Sequence, residues 1–170
     1  MKKVWVYSDP HFGHKGVTEF LKADGTKIRP WNNPDEMDED MIEMYNQLVN
    51  ENDRVYILGD VVINRRCIPT LNRLNGKKVL IRGNHDIFRL NEYTPYFDDI
   101  RSYQILPKGG VIMSHIPVHP SQLVNRWKAN IHGHLHTNVI DDNRYINVCV
   151  EQTEFKPVLL DDILDRVSKL

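Results

Sequence analysis

The chain is poor in cysteine. Of its 170 residues only Cys67 and Cys149 are cysteines, far apart and without CxxC spacing. That argues against a disulfide-stapled scaffold and a cysteine zinc ribbon, and reads as two reduced thiols in a cytoplasmic protein. No apolar run approaches the length of a membrane span. The apolar stretch after Lys2-Lys3 is too short for a signal-peptide core, and no small-residue cleavage site follows it. A net charge of −1 leaves no bulk attraction for a nucleic-acid polymer. Internal repeats, low-complexity tracts and dividing linkers are missing too, so residues 1–170 are expected to form one domain around a sizeable core. There is no P-loop and no nucleophile elbow.

What the chain does have is alternation of apolar strands with helical patterns, the mark of a layered α/β fold. The clearest helix is predicted over 34–50. Asn33 suits the N-cap, Pro34 the first helical position and Glu36 the capping-box acid. Met37, Met41, Met44, Tyr45, Leu48 and Val49 recur at helical spacing and are expected in the core. A shorter helix is predicted over Pro69–Leu74, stopped by Asn75-Gly76. One strand is expected from Ile100 to Ile105. Val139-Ile140 and Tyr145 to Val150, around Asp141-Asp142-Asn143-Arg144, read as a hairpin. A strand over Val158–Leu160 follows, then a final helix capped by Asp161. The expected architecture is a four-layer α/β/β/α sandwich, two mixed sheets flanked by helices.

Five of the strands end in the same way. The runs Val4 to Tyr7, Val55 to Leu58, Val79 to Ile81, Val111 to Met113, and Ile131 are followed respectively by Asp9-Pro10-His11, Gly59-Asp60, Gly83-Asn84-His85-Asp86, Ser114-His115 and Gly133-His134-Leu135-His136. Ligands of open α/β sheets bind at the carboxyl ends of the strands. Carboxylate, imidazole and carboxamide groups suit divalent transition metals. Two such ions, ~3.5–4 Å apart, can clamp an attacking hydroxide and polarise a phosphoryl oxygen.

These blocks, in this order, resemble the calcineurin-like metallophosphoesterase family, whose pattern is D-x-H, G-D, G-N-H-D/E, H and G-H-x-H. The match spans His11 to His136 and touches every block, and the run Ser8-Asp9-Pro10-His11-Phe12-Gly13-His14 is similar to small bacterial and phage-type members. The resemblance implies that Asp9, His11 and His136 hold a first ion, that Asp60 bridges, and that Asn84, His115 and His134 hold a second. It places His85 over the substrate phosphate, stabilising the transition state or protonating the leaving oxygen, with Asp86 orienting it. Ser114 stands where many relatives have glycine. Two divalent ions are implied: manganese first, with iron, nickel or zinc as alternatives. The implied activity is phosphate-ester hydrolysis by attack of metal-activated hydroxide. A phosphodiesterase on small nucleotides or cyclic nucleotides is the leading expectation and a phosphomonoesterase the alternative. A non-catalytic scaffold of the same fold, or a protein using its ions only structurally, stands further off, because every expected position is filled.

Beyond the family pattern, His14 shares a loop with His11 and either reaches substrate or lies on the surface. Arg29 either forks onto a phosphate oxygen or is solvated. Trp31 is expected to pack on the domain. His119 either lines the pocket or bonds within its loop. His132 is expected to be packed rather than ligating. A monomer and a homodimer are both compatible with the sequence.

Overall fold

The computed structural model describes residues 2–170. Among the described residues, nine strands form two sheets. The first has the order β4-β3-β2-β1-β9, with β1 (Val4–Tyr7), β2 (Arg54–Ile57), β3 (Lys77–Ile81) and β4 (Asp99–Arg101) parallel and β9 (Val158–Leu159) antiparallel on β1. The second has the order β5-β6-β7-β8. Here β6 (Val111–Ser114), β7 (Ala129–His132) and β8 (Tyr145–Asn147) are parallel, and β5 (Tyr103–Leu106) is antiparallel to β6.

Strand alternation sorts the apolar residues into two cores. Trp5, Tyr7, Val55, Ile57 and Leu80 point to one face of the first sheet, where they meet Met37, Met41 and Tyr45 of α1 (Pro34–Leu48). Val6, Tyr56, Leu58, Val79 and Ile81 point the other way, against Val111, Met113, Ala129 and Ile131 of the second sheet. The last helix, α3 (Leu160–Ser168), closes that second core with Leu160, Ile163 and Val167. A short α2 (Leu90–Tyr93) lies between β3 and β4. The outer face of the second sheet is covered by the segment after β6. It carries a 3-10 turn (Pro120–Leu123) and is tied down at Val118, whose amide donates to Asn130 Oδ1 and whose carbonyl accepts the Tyr145 hydroxyl.

The N-terminus of α1 forms as its sequence dictates. Asn33 accepts the Glu36 amide at 2.9 Å and Pro34 opens the helix. The Glu36 carboxylate reaches the Asn32 amide, one residue earlier than a capping box requires.

Four expectations are corrected. Residues 65–73 form a 3-10 helix rather than an α-helix from Pro69: Pro69 lies inside it and lacks an amide to donate. The single strand over Ile100–Ile105 is two strands, broken at Ser102, one in each sheet. The late hairpin does not form: Val139-Ile140 lie outside any strand, and β8 pairs in parallel with β7. The antiparallel pair of that sheet is β5–β6. Finally, Leu159 takes the N-cap of α3, leaving Asp161 and Asp162 in its first turn, where acids favour the helix dipole. Among the described residues, no helix is long and apolar enough to cross a membrane.

Candidate metal centre

All the parallel strands of both sheets deliver their loops to one edge of the molecule, and the loops are locked to one another there. The backbone continues the strand ladder past the strand ends: Asp9 N donates to Gly59 O, His11 N to Asp60 O, and Gly133 N to His115 O. The packing is close enough to dictate glycines. A Cβ on Gly83 would stand 2.2 Å from Asp60 Oδ1, and one on Gly133 would stand 2.1 Å from Ser8 Oγ and 2.3 Å from Asp9 Oδ2.

Among the described residues, five of the seven non-glycine residues with positive φ belong to this edge: Asp9 (57°), His11 (52°), Asp60 (53°), His134 (68°) and His136 (51°). Left-handed backbone at ordinary residues costs roughly 1–3 kcal/mol each and persists where the surroundings impose it, typically at functional sites.

The side chains leave a telling pattern of unmet polar atoms. Asp9 Oδ2 is saturated by Ser8 Oγ, the His134 amide and the Cys149 thiol. Asp9 Oδ1 is buried with no partner, and so are both ring nitrogens of His11. His11 Nε2 lies 3.8 Å from Asp9 Oδ1 and 3.6 Å from Asp60 Oδ2, and His136 Nε2 lies 3.8 Å from Asp9 Oδ1. Burial, with the charge of Arg29 added, pushes His11 well below the usual histidine range, so it presents neutral imidazole. A cation with ~2.0–2.2 Å bonds requires ligand atoms spaced this way. Because Asp9 turns Oδ2 toward Cys149, the thiol supports the carboxylate from behind.

The other half of the cluster tells the same story. His115 Nδ1–H donates to the Leu58 carbonyl at 2.6 Å. Its Nε2 then faces Asn84 Oδ1 at 2.8 Å and Asp60 Oδ2 at 3.4 Å, both of them acceptors. Three acceptors converge without a donor unless a proton or a cation sits among them. Burial lowers the pKa of His115, but the Asp60 carboxylate and the Leu58 carbonyl outweigh it and raise it overall. The His134 ring is 5.1 Å from that of His115. Asp60 divides its oxygens: Oδ2 faces both His11 and His115, and Oδ1 accepts the His85 amide at 2.8 Å. Asp9, His11 and Asp60 form one group able to hold a metal ion, and Asp60, His115 and His134 form another. The donor set therefore fits two divalent cations sharing Asp60.

The structure brings the seven expected ligand positions together and gives several neighbours a different place. The ring of His85 is exposed, 5.6 Å from that of His11. Asp86 does not orient that ring. Its carboxylate accepts the amides of Asp60, Val61 and Gly83, and so braces the two loops that carry Asp60 and Asn84. Arg29 is neither a phosphate fork nor a solvated side chain. It is fully buried, with Nε and Nη2 on Glu151 Oε1, Nη2 also on the Asp9 carbonyl, and Nη1 on the Pro10 carbonyl and Met37 sulfur. His119 is exposed and caps its own loop by accepting the Ser121 amide. His14 is half-buried and accepts the Gly16 amide. His132 is buried with Nδ1 on the Gly133 carbonyl, and Trp31 packs on Phe155.

One residue of the centre escaped the sequence reading. Glu151 is buried and holds His136 Nδ1 at 3.1 Å, the carboxylate–imidazole arrangement that fixes a ligating histidine's tautomer. Burial opposes its ionisation, yet His136 and Arg29 prevail and bring its pKa down to about 2. A carboxylate just past a strand was the signal. It was masked because Tyr145 to Val150 read as one arm of a hairpin.

A double sheet whose strand ends converge on an acid–histidine cluster defines a metallophosphoesterase-type protein. Residues 2–166 match the model of the calcineurin-like phosphoesterases, and the chain belongs to that family. It is 33% identical to the uncharacterized protein MJ1445 of Methanocaldococcus jannaschii, over 99% of this chain and 93% of that one. It is 30% identical to the gene 66 protein of Mycobacterium phage D29, over 82% and 81%. In fold it resembles a solved protein of unknown function, AQ665 from Aquifex aeolicus, with TM-score 0.76 and 23% identity over 96% of this chain and 98% of that one.

Proposed function

We propose that this chain is a phosphoesterase dependent on two divalent cations, manganese first among them, and that it hydrolyses phosphodiesters of small or cyclic nucleotides. The observation that supports this most directly is the set of buried polar atoms without partners, Asp9 Oδ1 and the ring nitrogens of His11, beside the acceptor cluster of Asp60, Asn84 and His115. When bound, the cations supply Lewis acidity, polarising a phosphoryl oxygen and bringing the pKa of a water toward neutrality.

The protein's own residues do the rest. Asp60 and Asp9 hold negative charge at the centre. The carbonyl of Leu58 and the carboxylate of Glu151 fix the rings of His115 and His136 so that their Nε2 lone pairs point inward. His85, exposed at the rim beside His11, is the residue we assign to give a proton to the leaving oxygen. The commitment of Arg29 favours a diester. All of its donors are used inside the fold, so it cannot meet the second charge of a monoester dianion.

Hydrolysis of bis-p-nitrophenyl phosphate with added manganese, with and without chelator, tests the reading, alongside p-nitrophenyl phosphate. Diester turnover that chelation abolishes is the expected result. Turnover of neither ester overturns the enzyme reading, and faster monoester turnover overturns the preference.

A further inference from the structure

A pocket on the flank of the centre is not accounted for by cation binding. Val17, Phe20, Ile28 and Leu135 line it, together with His134, His136 and Glu151 of the centre. Its volume is about 380 Å³, near the small end of the ~300–1,000 Å³ typical of small-molecule sites.

The chain takes a detour to build it. Between 20 and 28 it makes a miniature hairpin: Ile28 N donates to Phe20 O at 2.9 Å, Lys22 N donates to Thr26 O at 2.7 Å, and Leu21 bridges to Lys27. Phe20 and Ile28 therefore stand side by side, and Phe20 is left 53% exposed. A lone exposed phenylalanine needs no explanation, but this one ends a line of rings. His14 meets the His11 ring edge-on at 5.6 Å and the Phe20 ring edge-on at 6.2 Å. The line leads from a candidate cation ligand to the pocket.

We infer that this pocket is a subsite for a flat aromatic ring carried by the phosphate ester, a nucleobase above all. The ring lies against Phe20 while the phosphate occupies the cation centre. The inference rests on the phosphoesterase reading and names the part of the substrate that gives selectivity. Aromatic side chains stack on any nucleobase, so the subsite favours bases as a class over a bare sugar or alkyl group.

The test compares adenosine 5′-monophosphate with ribose 5-phosphate, titrated calorimetrically into manganese-loaded protein. Their shared phosphate and ribose cancel, leaving the ring. The nucleotide is expected to bind about tenfold tighter or better. Phe20→Ala brings the ratio of affinities toward one, and Phe20→Tyr preserves it. Because Phe20 is half in water, circular dichroism of the variants is expected to match the parent. Equal affinity for the two ligands, no measurable nucleotide binding, or a preference that survives Phe20→Ala overturns the subsite. Failure of the enzyme reading looks different: no ester is hydrolysed, whatever the binding ratio.

Discussion

The two candidate cation positions share Asp60 and differ in how far their remaining ligands are buried and braced. The inner one is lined by Asp9 and His11, both buried, and by a His136 held from behind. A single buried guanidinium organises it: Arg29 holds the carbonyls of Asp9 and Pro10 on one side and Glu151 on the other, and Glu151 in turn holds His136. The outer position has one buried ligand, His115 on the Leu58 carbonyl, but relies also on Asn84, which is exposed, and on His134, which is half-buried and whose ring has no carboxylate behind it. Burial and bracing are concentrated at the inner position, and exposure at the outer one. On this comparison a cation at the inner position is expected to be held more tightly than one at the outer position.

The largest expected effect removes what the positions share. Asp60→Asn weakens both ions together and lowers turnover by more than about 10³-fold. Elemental analysis that finds two tightly held metals in that variant counts against a shared carboxylate. Next comes the rim. His85→Ala keeps both metals and loses turnover by about 10²–10⁴-fold. Loss of metal from that variant would show that His85 serves the cations instead.

Glu151→Gln separates the two positions. It removes the carboxylate behind His136 and is expected to weaken the inner ion by about 10–100-fold, leaving the outer one near its starting affinity. A chelator competition that resolves two binding steps reads this directly, and equal weakening of both steps would erase the contrast drawn above. Arg29→Ala acts on the fold instead of on substrate. It strands the Glu151 charge, and breaking a buried pair costs about 3–5 kcal/mol. Urea unfolding measures the loss; a raised KM with unchanged stability would restore the phosphate role expected from sequence.

Much of this centre could be read from the chain because strand ends carry their own signature. Asp9, Asp60, Asn84, His115 and the His134/His136 pair each follow a buried apolar run, and the convergence of parallel strand ends brings them together. What stayed hidden depends on contacts distant in sequence. Arg29 and Glu151 are 122 positions apart, and neither has a local pattern that names the other. Asp86 had a plausible neighbour in His85, but its carboxylate bonds to amides of the preceding strand's loop. The late hairpin failed for a related reason: turn residues at 141–144 signal a reversal but not which strand is paired afterwards, and β7 offered a parallel edge.

The smallest prediction concerns how the two sides brace their loops. On the outer side, Asp86 gathers three amides. On the inner side, the loop after His11 rests on Asp38, whose carboxylate accepts only the Gly13 amide at 3.0 Å. Burial is the main reason the Asp38 pKa rises to about 6. Asp35 and Glu39 push the same way, against Gly13 N–H and Arg73. In the unfolded chain the same carboxyl ionises near ~3.9. Between those values the folded state holds the proton that the unfolded state has released, so this group makes stability fall as pH rises from about 4 to about 6. Above that window the ionised, half-buried carboxylate is a standing cost. Asn at this position keeps the acceptor for Gly13 and drops the charge. Asp38→Asn should therefore melt higher than the parent at pH 7 and no higher at pH 4, as followed by thermal denaturation of metal-free protein. A melting difference that does not change across that window would mean that Asp38 is paired as well as Asp86 and that the two sides are braced alike.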